Sequence, residues 1–146
     1  MNTIDLLGDS VVATSIIEGT IVEFRDNVLT KVVAYVFLDC KNLIHVNLPS
    51  VTSIGTESFK DCSSLEVLIL SSESICTLSN SNSFSNTPIA KGTGYIYVPR
   101  ALLSDEDAAK DYRRATNWST YANQFRALED YTVDGTVTGE LDESKI

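Results

Sequence analysis

The chain has 146 residues, 43% hydrophobic and 21% charged, a balance that fits one folded domain and excludes global disorder. Its 20 acidic and 11 basic residues give a net charge of -9. Such a charge is repelled by phosphate backbones and anionic lipid, which disfavours nucleic-acid and membrane-surface binding.

Taken from the start, Met1 to Asp9 holds no basic segment and no long apolar run, so no secretion signal is read there. The expected location is the cytoplasm, unless the protein reaches the outside by assembly into a larger particle. No window reaches the length of a membrane-spanning helix, so membrane insertion is not expected. Asp9-Ser10 can N-cap a short helix that carries Val12 and Ile16 and stops at Gly19, which predicts an N-terminal helical cap over 1–20.

Residues 21–100 repeat. Phe37, Asp39, Cys40, Leu43, Leu48 and Ser50 recur as Phe59, Asp61, Cys62, Leu65, Leu70 and Ser72, an offset of 22 (59 − 37). Inside each unit, Leu43-x-x-Val46-x-Leu48 and Leu65-x-x-Leu68-x-Leu70 carry the strand pattern of leucine-rich repeats. Extended backwards, the register gives a first strand at Ile21–Phe24. Extended forwards, it gives one at Tyr95–Val98, after a six-residue insertion placed within the Ser/Asn-rich segment from Ser71 to Asn86. The fold class expected is an α/β repeat: a right-handed solenoid of about four coils with short parallel strands, in which Phe37 and Phe59 stack one coil apart.

Ser104-Asp-Glu-Asp107 then opens a second helical stretch, with Ala108, Tyr112 and Ala115, and later Tyr121, Phe125 and Leu128, at helical spacing. This predicts a C-terminal helical cap over 101–130, with Trp118 packed beneath the last coil. The acidic tail, 131–146, holds Asp134-Gly135 between Thr/Val pairs, a two-residue hairpin signal.

The stretch Val51-Thr-Ser-Ile54-Gly55, followed by Phe59, Cys62 and Leu65, closely resembles the BspA-like class of leucine-rich repeats, found in bacterial surface proteins and prophage-encoded proteins. Tyr95-Ile-Tyr-Val98-Pro99, followed by Ala115-Thr-Asn-Trp118-Ser-Thr-Tyr121-Ala122, looks like the segment that closes such arrays in gut bacteria and their phages. The resemblance covers about residues 10–128. It departs from the pattern where Val33 stands in place of Gly55 one unit earlier, and where the third unit lacks a clean Ile-Gly pair and the Cys-x-x-Leu. It implies a non-catalytic recognition or structural module, with a component of a phage or prophage particle displayed to the host surface as the leading role. A bacterial surface adhesin and a general protein-interaction scaffold are the alternatives.

Residues able to carry chemistry are few. His45 is the single histidine, and a hydrolase using it is the reading from another class, but no Gly-x-Ser-x-Gly elbow accompanies it. Cys40 and Cys62 occupy equivalent places in successive units and read as a ladder of buried thiols rather than a redox or metal pair. Asp39 and Asp61 read as turn residues. Ala90-Lys91-Gly92-Thr93-Gly94 lacks the spacing of a phosphate loop, and Asn117-Trp118-Ser119 is read as a coincidental glycosylation pattern. No cofactor and no metal are expected.

Strand alternation puts two ladders on the outer sheet face: Glu23, His45, Val67, Tyr95 and Arg25, Asn47, Ile69, Tyr97. The candidate binding face is therefore His45, Asn47, Val67, Ile69, Tyr95 and Tyr97. It is more apolar than water contact calls for. Either it meets a partner, meaning a protein or surface glycan of a host cell, or the C-terminal segment folds back over it. For assembly into a homo-oligomer, or with other particle proteins, the candidates are Tyr131, Val133, Val137 and Leu141. The segment after Tyr131 is expected to dock on a neighbouring subunit or particle protein, with docking over Val67, Ile69 and Tyr97 of its own chain as the alternative.

Overall fold

The computed structural model describes the backbone at 3–4, 10–11, 23–133 and 136–137, and side chains over 23–131. Among these residues lie two parallel sheets, and each repeat unit gives one short strand to both. The strands are β1 Thr3–Ile4, β2 Ser10–Val11, β3 Glu23–Arg25, β4 Lys31–Val32, β5 His45–Asn47, β6 Ser53–Ile54, β7 Val67–Ile69, β8 Thr77–Leu78, β9 Tyr95–Val98 and β10 Phe125–Ala127. The larger sheet has the order β1-β3-β5-β7-β9-β10, and the smaller one β2-β4-β6-β8.

Register follows the sequence offset. Phe24, Val46, Leu68 and Ile96 align across neighbouring strands, and each is fully buried. Flanking them are the two expected ladders, Glu23↔His45↔Val67↔Tyr95 and Arg25↔Asn47↔Ile69↔Tyr97. The strands are shorter than the periodic stretches predict. Leu43 and Leu65 belong instead to tight turns, in which their N–H groups donate to the carbonyls of Cys40 and Cys62.

Those turns hold a third line of contact between units. Phe37 and Asp39 N–H donate to the carbonyls of Ser58 and Lys60, and Phe59 and Asp61 N–H donate to those of Ser83 and Ser85. Asp39, Asp61 and Asn86 all take the left-handed conformation, at φ of 65°, 63° and 64°. Asp and Asn tolerate it better than most residues, which explains their recurrence. Beneath the turns runs an aromatic column. Phe37 and Phe59 stack at 4.9 Å, Phe59 and Phe84 at 5.3 Å, and Phe84 meets Trp118 at 5.8 Å. Burying each such ring contributes about 1.5–3 kcal/mol, and each pair about 0.5–1.5 kcal/mol more.

The second sheet is not marked by alternation, because two-residue strands are too short to show it. Its signal is packing: Val32, Ile54 and Leu78 point inward, one per unit. Gly55 follows β6 where a Cβ would come within 2.5 Å of the Ala34 nitrogen, so the unit closes only over glycine there. The six-residue insertion is spread along the last unit. β8 pairs with β6 at an offset of 24 (77 − 53), and β9 with β7 at 28 (95 − 67). Most of the remainder surrounds a single-turn helix α1, Pro88–Lys91, capped by the Thr87 side chain and ended by Gly92 at φ 92°.

The C-terminal stretch differs from expectation. In place of α-helix over 101–130 there are 3₁₀ turns at Ala108–Lys110, Tyr112–Arg114 and Trp118–Gln124, and then strand β10. Asp107 and Asp111 each accept a hydrogen bond from an N–H two residues on, so each opens a new turn instead of letting one helix continue. Phe125, expected on a helix with Tyr121 and Leu128, pairs instead with Ile96 in the larger sheet. The segment still serves the edge of the last unit. Asn117 Nδ2 donates to the Leu78 carbonyl at 2.7 Å, Trp118 Nε1 to that of Cys76 at 2.7 Å, and Cys76 N–H to the Tyr112 hydroxyl at 2.8 Å. Trp118 packs where expected.

At the other end, β1 and β2 pair in parallel with β3 and β4. In place of the helical cap expected over 1–20, the residues described there are these strands, with Ser10, the expected helix cap, in β2; Val12, Ile16, Gly19 and the strand residue Ile21 lie outside the described residues. In the tail, β11 Thr132–Val133 and β12 Thr136–Val137 pair antiparallel, with two residues between them, as the hairpin reading requires.

Candidate functional site

The outer face of the larger sheet gathers the residues that sequence singled out. β5 supplies His45 and Asn47, β7 Val67 and Ile69, and β9 Tyr95 and Tyr97, in lateral register. One neighbour was not foreseen: β10 adds Arg126 beside Tyr97, with its guanidinium 4.6 Å from the centre of the Tyr95 ring. Its distance of 29 residues from Tyr97 is no multiple of the repeat, so periodicity gave no sign of it.

Tyr131 crosses this face. Its hydroxyl lies 3.1 Å from His45 Nε2, and its ring packs edge-on against Tyr97 at 4.7 Å. Tyr97 in turn meets Tyr95 at 6.5 Å. The face is correspondingly less open than alternation predicts. Asn47 is 1% exposed and Ile69 0%, while His45, Val67, Tyr95 and Tyr97 are half-buried. Asn47 and Ile69 are thus not surface residues, and His45 does not simply project into water. Tyr131, read as an assembly residue, seats on its own chain. Val133 and Val137 are described only as backbone of the hairpin strands, and Leu141 lies outside the described residues.

Burial has electrostatic consequences. Loss of solvent lowers the His45 pKa to about 4, which leaves the ring neutral at physiological pH. Burial also raises the phenols of Tyr131 and Tyr97 above their ordinary value. A weak base held against a phenol that resists ionisation lacks the matched pKa values of a general base and its nucleophile. Two polar atoms of these strand residues, His45 Nδ1 and Asn47 Oδ1, are buried without a hydrogen-bond partner.

The remaining chemistry-bearing residues sit in structural places. Cys40, Cys62 and Cys76 are buried and form no disulfide. Hydrogen bonding to Cys40, together with burial, pushes the Cys62 thiol far up; burial pushes Cys76 up to about 12. Thiols so raised are poor nucleophiles and poor metal ligands. Among the described residues no group of three or more His, Cys, Asp or Glu is arranged to hold a metal ion, and no helix is long and apolar enough to cross a membrane.

A family model described as BspA type Leucine rich repeat region, in six copies, matches residues 15–96. The chain belongs to this family, and a repeat region of this kind points to a protein-interaction or surface module. No curated protein and no solved structure matches the chain.

Proposed function

We propose that the chain is a right-handed leucine-rich-repeat solenoid of about four coils, closed at both ends, that acts as a non-catalytic recognition and structural module. Its role is as a phage or prophage particle component displayed for host-surface binding, through the outer face of the larger sheet, and its partner is a protein or surface glycan of the host cell. The supporting observation is the face itself: in one register it lines up half-buried His45, Val67, Tyr95 and Tyr97 beside buried Asn47 and Ile69, with polar atoms of His45 and Asn47 left unpaired. Sheet faces of stacked repeats are common binding surfaces. The particle assignment rests on the resemblance to prophage-encoded members of the class.

Copurification of the protein with assembled particles tests the role, and its consistent absence from them would overturn it. A His45→Ala variant that behaves as wild type in hydrolytic assays would dispose of the enzyme reading. For self-association, the tail 131–146 is the candidate element. Light scattering should give a mass above the monomer that falls when the tail is deleted; a monomeric full-length chain would refute homo-oligomer formation.

A further inference from the structure

We propose that the place on the sheet face filled by the Tyr131 side chain is a subsite for a neutral saccharide, with the chain's own tyrosine standing in for the sugar. The inference rests on the recognition-module reading and narrows its partner to one chemistry.

Three observations carry it. The first is the unmet hydrogen bonding. Asn47 is 1% exposed, and its Oδ1 has no partner; His45 Nδ1 is likewise buried and unpartnered. Two residues apart on β5, these side chains share one face, with backbones about 6.6 Å apart. Buried acceptors without donors are rare and costly in native structures, and such groups at a surface slot are met when a ligand arrives. The second is the occupant. Tyr131 presents an apolar ring to Tyr97 and a hydroxyl to His45 Nε2 at 3.1 Å, a combination that a pyranose reproduces with its C–H face and its hydroxyls. A phenol has one hydroxyl, already engaged at Nε2. A sugar has several, each both donor and acceptor, so one can engage His45 Nε2 in either tautomer while a second serves Asn47 Oδ1. A tyrosine side chain from a second copy would leave Asn47 Oδ1 as unpaired as Tyr131 does.

The third observation is charge. At a net -9 the chain repels anionic glycans, and the ring of His45 is uncharged. A neutral sugar has no such barrier.

The test uses the full-length chain as wild type, as Tyr131→Ala, and as Tyr131→Ala combined with either Asn47→Leu or Tyr97→Leu. The probe is an immobilised array of neutral and sialylated oligosaccharides, with NMR of the single histidine during titration of the tightest neutral binder. Removing the stand-in should raise neutral-saccharide affinity at least ten-fold over wild type and shift the His45 ring signals on binding. Each combined variant should lose that gain. Tyr97→Leu, at a half-buried position, keeps the test valid should Asn47→Leu fail to fold. No gain in Tyr131→Ala, equal binding of sialylated sugars, or a gain untouched by both second substitutions would overturn the proposal. So would capture of Tyr131→Ala by immobilised wild-type chain instead of sugar. Binding of Tyr131→Ala to enzymatically deglycosylated host surfaces through this face would sink the saccharide and leave the recognition module standing. Failure of every form to bind any host surface would sink both.

Discussion

His45 reports on the sheet face more directly than any other residue, because it is the single histidine and lies under Tyr131. Its titration followed by NMR should give a pKa near 4, and Tyr131→Ala should move it upward toward 6.5 as water reaches the ring. A value near 6.5 in the wild type would show that the face is open. The linkage has a definite sign. Below pH 6.5 the unfolded chain takes up a proton that the folded chain refuses until about pH 4. His45 therefore costs no stability above pH 6.5 and destabilises progressively as pH falls through that window, on the order of 3 kcal/mol at its lower end. Denaturant unfolding of wild type against His45→Gln should show the two curves diverging between these limits; parallel curves would contradict the burial. The three cysteines make a second residue-scale prediction. Thiol labelling of the native protein should be slow at all three, and unfolding without reductant should yield three equivalents, since the thiols are buried and form no disulfide. Fewer than three would mean a disulfide.

At the scale of elements, stability resides in the lines of contact that run from unit to unit. Phe59 sits mid-column between Phe37 and Phe84, so Phe59→Ala opens a cavity on both sides and should cost about 3–5 kcal/mol in chemical denaturation. A loss under 1 kcal/mol would mean that the column does not hold the units together. Gly55→Ala should cost about 2–3 kcal/mol, because its Cβ meets backbone atoms of Val33 and Ala34, which must shift to admit it. The four inner strands of the larger sheet and their register were legible because Phe37/Phe59, Cys40/Cys62 and Leu43/Leu65 repeat without a gap; its two edge strands, β1 and β10, lie outside that repeat. The smaller sheet was not, because its strands are two residues long. The C-terminal turns misled for another reason: Ser104, Asp107 and Asp111 are sound helix starters, and too many starters in succession break the helix they announce. Arg126 was invisible because it enters the face from outside the repeat.

For the whole molecule, the informative contrast lies between two surfaces. The sheet face is half-covered by Tyr131, holds unpaired polar atoms and joins three strands in one register. Away from it, Tyr35 is 50% exposed on a turn, in a left-handed conformation at φ 68°. If the face does the recognising, a charge placed on it must matter and a charge on the turn must not. Saturation binding to host cells, measured for Val67→Arg and Tyr35→Arg beside the wild type, decides this most directly. The result predicted is loss of at least ten-fold in affinity for Val67→Arg and wild-type binding for Tyr35→Arg, with both variants folded by circular dichroism. Retained binding by folded Val67→Arg, or loss confined to Tyr35→Arg, would contradict it.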